Sequence, residues 1–359
     1  MFSWLDRLRQ AAPARLAAAP PQSPQGLPDA ATSVAQPQGP DQTSLDPEQL
    51  LQQLEWTVLR RLDGQLQGDY RNLLRGAGLE LADLREYMAH DDVRHIDWNV
   101  TARMQTPYVR EHQEDREVSA WFVIDLSGSL DFGSSQMSKR QLACSAVAVL
   151  SRLLVRHGNR VGALICSGRE VRAEVVMPAR SGRRHVMELM RRILNTPART
   201  RGQTTDLRTL LLQAHQVIRR RSLVFVVSDF ISQPGWQTAL GPLAQRHEVV
   251  AMRLRDPLEM QLPDLGMVWI EDAETGEQLF VDVHDRGLRQ RFAEQADARE
   301  TVLQQALAHA GVDCLELHTD EELDRSLLRF TALRKRSQQI TAGVSRSAVW
   351  RQRAGSEHA

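Results

Sequence analysis

Trp121-Phe122-Val123-Ile124-Asp125-Leu126-Ser127-Gly128-Ser129 is an apolar run that ends in a carboxylate and opens into small hydroxyl residues. It reads as a buried strand that delivers oxygen ligands to its own tip. Asp125, Ser127 and Ser129 stand at alternate positions, and all three are hard oxygen donors. Such donors suit Mg²⁺, which binds through few carboxylates and keeps waters or open positions. The pattern points to recognition through a metal rather than to catalysis. Two further stretches belong beside it. Leu223-Val224-Phe225-Val226-Val227-Ser228-Asp229-Phe230 is a second apolar run ending in Ser-Asp, and Gln203-Thr204-Thr205-Asp206-Leu207 is a polar loop ahead of a helix.

Working outward, periodicity predicts alternating helices and strands. A helix is expected over about 137–157, opened by Ser138 with Gln141 three positions on as a capping box. Strands are expected at 161–165, at 171–175 as a half-exposed edge, at 223–227, at 249–252 and at 312–317. Between them lie helices near 183–194, after Thr205, near 236–245 and over about 285–310, with a last one ending near Arg336. Val268-Trp269-Ile270 and Leu279-Phe280-Val281 flank a turn and read as a hairpin insert. The fold class is therefore α/β, a doubly wound and mostly parallel sheet, with an N-terminal accessory module. In such sheets ligands bind outside the carboxyl ends of the strands at a topological switch point. The tips of the 121 and 223 strands are such places.

Four segments divide the 359 residues. Residues 1–46 are rich in Pro, Gln and Ala, a composition that predicts a disordered tail. Residues 47–118 form the N-terminal module, opened by a helix from Pro47 that carries Leu50, Leu51, Leu54, Val58, Leu59 and Leu62 at helical spacing. Residues 119–336 form the α/β domain, and 337–359 a mobile C-terminal tail. The formal net charge is zero, which argues against a dedicated nucleic-acid binder. Arginine clusters at 180–192 and 219–221 read as solvated helix faces. Cys144, Cys166 and Cys314 are widely spaced and contain no Cys-x-x-Cys pair, so reduced thiols packed in the core of a cytoplasmic protein are expected. No apolar run reaches the length of a membrane span. Trp98 and Trp121 are expected in the core. Asp91, Asp92, Arg94, Asp97 and Arg103 are expected to brace the N-terminal module against the sheet.

Together the three stretches resemble the metal-ion-dependent adhesion site of von Willebrand factor A domains: Asp-x-Ser-x-Ser, a loop Thr, then a Ser/Thr/Gly-Asp at a later strand tip. The resemblance implies Asp125, Ser127, Ser129, Thr205 and Asp229 as ligands, with Thr205 preferred to Thr204 because it directly precedes Asp206-Leu207. A second resemblance lies upstream. Gly76, Gly78, Glu80, Arg85, Tyr87, Asp91, Asp92, Arg94, Ile96, Asp97, Trp98, Ala102 and Arg103 match the signature of the bacterial "domain of unknown function 58" family. Leu81 and His90 depart from it, standing where Phe and Gly are usual. That family implies a von Willebrand A-like domain and an accessory role beside a MoxR-type AAA+ ATPase. A Mg²⁺-dependent adaptor is thus expected, binding a Glu or Asp of its partner. A hydrolase using the same ion would need a general base, for which His95 and Glu80 are the candidates. A structural domain with a vacant site is the third alternative.

Overall fold

The computed structural model describes residues 46–65, 84–88, 93, 96, 98–110, 119–134, 137–167, 173–197, 206–271 and 278–336. The C-terminal tail, the N-terminal tail apart from Asp46, and Gly76, Gly78, Glu80, Asp91, Asp92, Arg94, His95 and Asp97 lie outside the described residues.

Six strands form the central sheet: β3 (Ser119–Asp125), β4 (Arg160–Cys166), β5 (Val175–Arg180), β6 (Leu223–Ser228), β7 (Glu248–Arg255) and β10 (Asp313–His318). Their order across the sheet is β10-β7-β6-β3-β4-β5, with only β5 antiparallel to its neighbour. Counted from β3, this is the doubly wound order 3-2-1-4-5-6. It is the α/β class expected from the sequence, a doubly wound and mostly parallel sheet. The chain leaves β3 for β4 on one side and later returns to β6 on the other, so the switch point lies between β3 and β6.

The strands read as unbroken apolar runs because both faces are covered. Phe122 and Ile124 point into one core with Ala163, Ile165, Phe225 and Val227. Val123 points into the opposite core with Leu164, Val224 and Val226. The first core is closed by α4 (Lys139–Arg156), α5 (Arg183–Asn195) and the last helix, 323–336. The second is closed by α6 (Leu207–Val217), α7 (Gln237–Arg246) and α8 (Arg286–Ala310). The hairpin β8 (Met267–Glu271) and β9 (Gln278–Asp282) forms its own antiparallel pair over a small third core.

The N-terminal helix begins at Pro47 as expected. It runs as α1 (Pro47–Leu54), a π turn at Glu55–Leu59, and α2 (Arg60–Gln65). Leu51, Leu54, Val58, Leu59 and Leu62 are buried in the first core of the sheet. Arg152 pairs with Glu55 at 2.8 Å, and Arg61 with Asp324 at 2.8 Å. Farther on, β1 (Leu84–Glu86) pairs antiparallel with β2 (Tyr108–Arg110), and α3 (Trp98–Met104) lies between them in sequence.

Two expectations need correction. The edge strand runs Val175–Arg180, later than the expected 171–175. Pro178 inside it is tolerated because an edge strand can spare that N–H. Trp98 is 69 % exposed rather than core, whereas Trp121 is half-buried and packs on the second core.

Candidate functional site

β3 and β6 end side by side at the switch point, and each turns sharply through its own polar side chains. Asp125 closes β3. Its Oδ1 accepts the Ser127 N–H at 3.1 Å, folding the backbone so that the two serine side chains face each other. The Ser127 and Ser129 hydroxyl oxygens are 2.9 Å apart. A short 3₁₀ turn over Gly128–Asp131 follows. Arg140 steadies it by pairing with Asp131 while donating to the carbonyls of Ile193 (3.2 Å) and Thr196 (2.7 Å) at the end of α5. A guanidinium there also suits the negative end of a helix.

On the β6 side, Ser228 donates its hydroxyl to Asp125 Oδ2 at 3.0 Å and accepts the Phe230 N–H at 2.9 Å. Asp229 Oδ1 accepts the Ile231 N–H at 3.0 Å. Between them Phe230 takes φ = +59°, a left-handed conformation uncommon for a bulky residue. Its ring is buried against Trp236, with centroids 5.3 Å apart, and that packing holds the turn. The Ser129 hydroxyl lies beside the Asp229 carboxylate and helps hold its pKa down.

Asp125, Ser127, Ser129 and Asp229 thus meet in one polar cluster across the two strand tips. Thr205 lies outside the described residues; α6 begins just after it, capped by Asp206, whose carboxylate accepts the Thr209 N–H at 3.3 Å. His95 and Glu80, the bases considered for a hydrolase, also lie outside the described residues.

Sequence reasoning missed the cation. Lys139, at the first turn of α4, is fully buried and donates from Nζ to Asp229 Oδ2 at 2.7 Å and to Glu259 Oε1. Burial alone would push this ammonium down; the Asp229 and Glu259 carboxylates outweigh it and hold it above its ordinary value. Burial would likewise raise Asp229, but the Lys139 charge, with the Lys139, Ile231 and Ser129 hydrogen bonds, holds it below the usual range. Glu259 is set by a capping box after β7, its other oxygen accepting the Asp256 N–H at 3.2 Å. Asp256, fully buried, accepts from the Ser134 backbone and hydroxyl at 2.8 and 2.6 Å and from the Thr319 hydroxyl at 2.8 Å. It knots the β3 loop to the ends of β7 and β10. Ser138 and Gln141 were a visible signal for the start of α4, but nothing in the local pattern told Lys139 from a surface lysine.

The donor set is two carboxylates and two hydroxyls, the chemistry of a hard divalent cation. Among the described residues no group of three or more His, Cys, Asp or Glu stands together as a metal cage; two donors here are serines. No helix of the described residues is long and apolar enough to cross a membrane.

The family model for the protein of unknown function DUF58 matches residues 83–302. The uncharacterized protein Rv1480 of Mycobacterium tuberculosis is 39% identical over 286 residues, 80% of this chain and 89% of that protein. The chain belongs to the DUF58 family. Another relative, the uncharacterized protein MAV169 of Mycobacterium avium, is 37% identical over 160 residues, 45% of this chain and 94% of that protein. Among solved structures, BatB from Bacteroides thetaiotaomicron aligns with a TM-score of 0.33 at 16% identity, over 54% of this chain and 98% of that one. The SpRpn10 VWA domain aligns with a TM-score of 0.31 at 13% identity, over 59% and 94%. The signature at residues 76–103 points to this DUF58 membership.

Proposed function

We propose that this DUF58 protein is a cytoplasmic adaptor that binds a protein partner through Mg²⁺. The observation that carries the reading is the meeting of Asp125, Ser127, Ser129 and Asp229 at the switch point of the sheet, where such folds take their ligands. Ser127, Ser129 and Thr205 would hold the ion through hydroxyls, with Asp125 and Asp229 direct or through water. An ion so held keeps much of its charge, and a Glu or Asp of the partner would complete its octahedron. The partner of choice is a MoxR-type AAA+ ATPase, on the family resemblance. The free thiols support a reducing compartment: Cys144 and Cys166 are buried and Cys314 partly so.

The test is complex formation between the full chain and a purified MoxR-type ATPase from the same genome, read by biolayer interferometry. Binding is expected with Mg²⁺, and its loss with EDTA or in Ser129→Ala. Ser129 is half-buried, so its hydroxyl can go without opening the core. Equal binding with and without EDTA would sink the reading. Ion-dependent turnover of a phosphoester by the chain alone would move it to the hydrolases.

A further inference from the structure

Among the described residues Lys139 is the most deeply buried cation, at 0 % exposure. Its ammonium reaches two carboxylates at once. Burying such an ion pair contributes little net stability, because desolvation offsets the attraction. Its lasting effect is on the charge of the site beside it. A carboxylate has about four lone-pair positions. Asp229 already gives two of them to the Ile231 N–H and the Lys139 ammonium, with the Ser129 hydroxyl beside it. A divalent ion bound directly to Asp229 would share that carboxylate with a cation, and two cations on one carboxylate repel in a dry site.

We propose that Lys139 is a positioning residue that sets the ion affinity of this site, holding Asp229 as an outer ligand and weakening the grip on a divalent cation. The inference rests on the metal reading above. Weak holding by the protein leaves the ion dependent on an anionic ligand from outside. Glu259 tempers the effect, because it takes part of the ammonium's charge.

The experiment titrates Mn²⁺ alone into the full chain and reads affinity by calorimetry, with EPR of the bound ion as a second readout. Lys139→Met by itself leaves two carboxylates facing each other and risks misfolding. The main variant is therefore Lys139→Met with Glu259→Gln, checked for a wild-type melting transition. It is expected to bind Mn²⁺ about tenfold tighter than wild type, since Asp229 no longer shares its carboxylate with an ammonium, an effect that outweighs the Glu259 charge lost with it. Glu259→Gln alone, which leaves the ammonium on Asp229 undiluted, is expected to bind about threefold more weakly. Tightening separates this role from a structural one, because a lysine that only held the fold would weaken ion binding when removed. Wild-type uptake with the double variant equal or weaker would overturn the role of Lys139 and leave the metal reading standing. No uptake by any variant would overturn both.

Discussion

A buried titratable side chain shows how single residues tie this fold to pH. His247 ends α7 and is 3 % exposed. Burial first, then the nearby Arg246 and His215 charges, push its imidazole from 6.5 down to about 4. The neutral ring is thus favoured by folding. The unfolded chain takes up a proton near 6.5 that the native chain refuses until about 4. Stability from this group is full above 6.5 and drains as pH falls toward 4. His247→Gln should flatten that slope, removing on the order of 1–2 kcal/mol of the acid-induced loss once solvent screening is allowed for. Urea unfolding at pH 7 and at pH 4.5 checks it; parallel losses in wild type and variant would show that other groups set the acid limb. The thiols sit at the opposite extreme. Burial pushes Cys144 up to about 12, so it is a packing residue and not a nucleophile near neutral pH.

At the scale of elements, β3 and β4 set the spacing on which the site depends. Trp121 lies opposite Gly162 in the parallel ladder, and a Cβ on Gly162 would come 2.8 Å from the indole. Gly162→Val should therefore strain the β3–β4 pair and destabilise the fold by about 1–3 kcal/mol. A lowered thermal midpoint checks it, and Trp121→Ala in the same chain should restore part of the loss. Elements with a local cause were legible from sequence. Ser138 and Gln141 cap α4 as the capping box required, and β3 and β6 end at the Asp and Ser-Asp that marked them. Elements set by their neighbours were less so. Alternation at Val171–Val175 looked like a strand, yet the pairing with β4 falls on Val175–Arg180, because partner and register are long-range choices. The candidate site divides the same way. Asp125, Ser127 and Ser129 are local in sequence, whereas Lys139 meets Glu259 across 120 positions. Only the assembled fold brings that pair together.

For the whole molecule, the question is whether the N-terminal helix is an attachment or part of the core. Leu51 and Leu62 are fully buried in the same cluster as Phe122, Phe225 and Leu150. The helix also reaches the last helix of the chain through Arg61 and Asp324, so it ties together segments more than 260 residues apart, 263 in the case of that hydrogen bond. Most helical stability in a folded protein comes from the face a helix buries. Shared burial should make it melt with the sheet. Leu51→Ala removes side-chain volume from a fully buried place and should cost about 2–5 kcal/mol. That loss should appear as a downward shift of the main calorimetric transition. Because α4 carries both Lys139 at its first turn and the surface on which α1 packs, the loss should also loosen the strand-tip cluster. Hydrogen exchange at the Ser127 and Ile231 amides, each bonded to a site carboxylate, reads that directly. An unshifted main transition with a separate early one would mean that the helix is an independent module resting on the sheet.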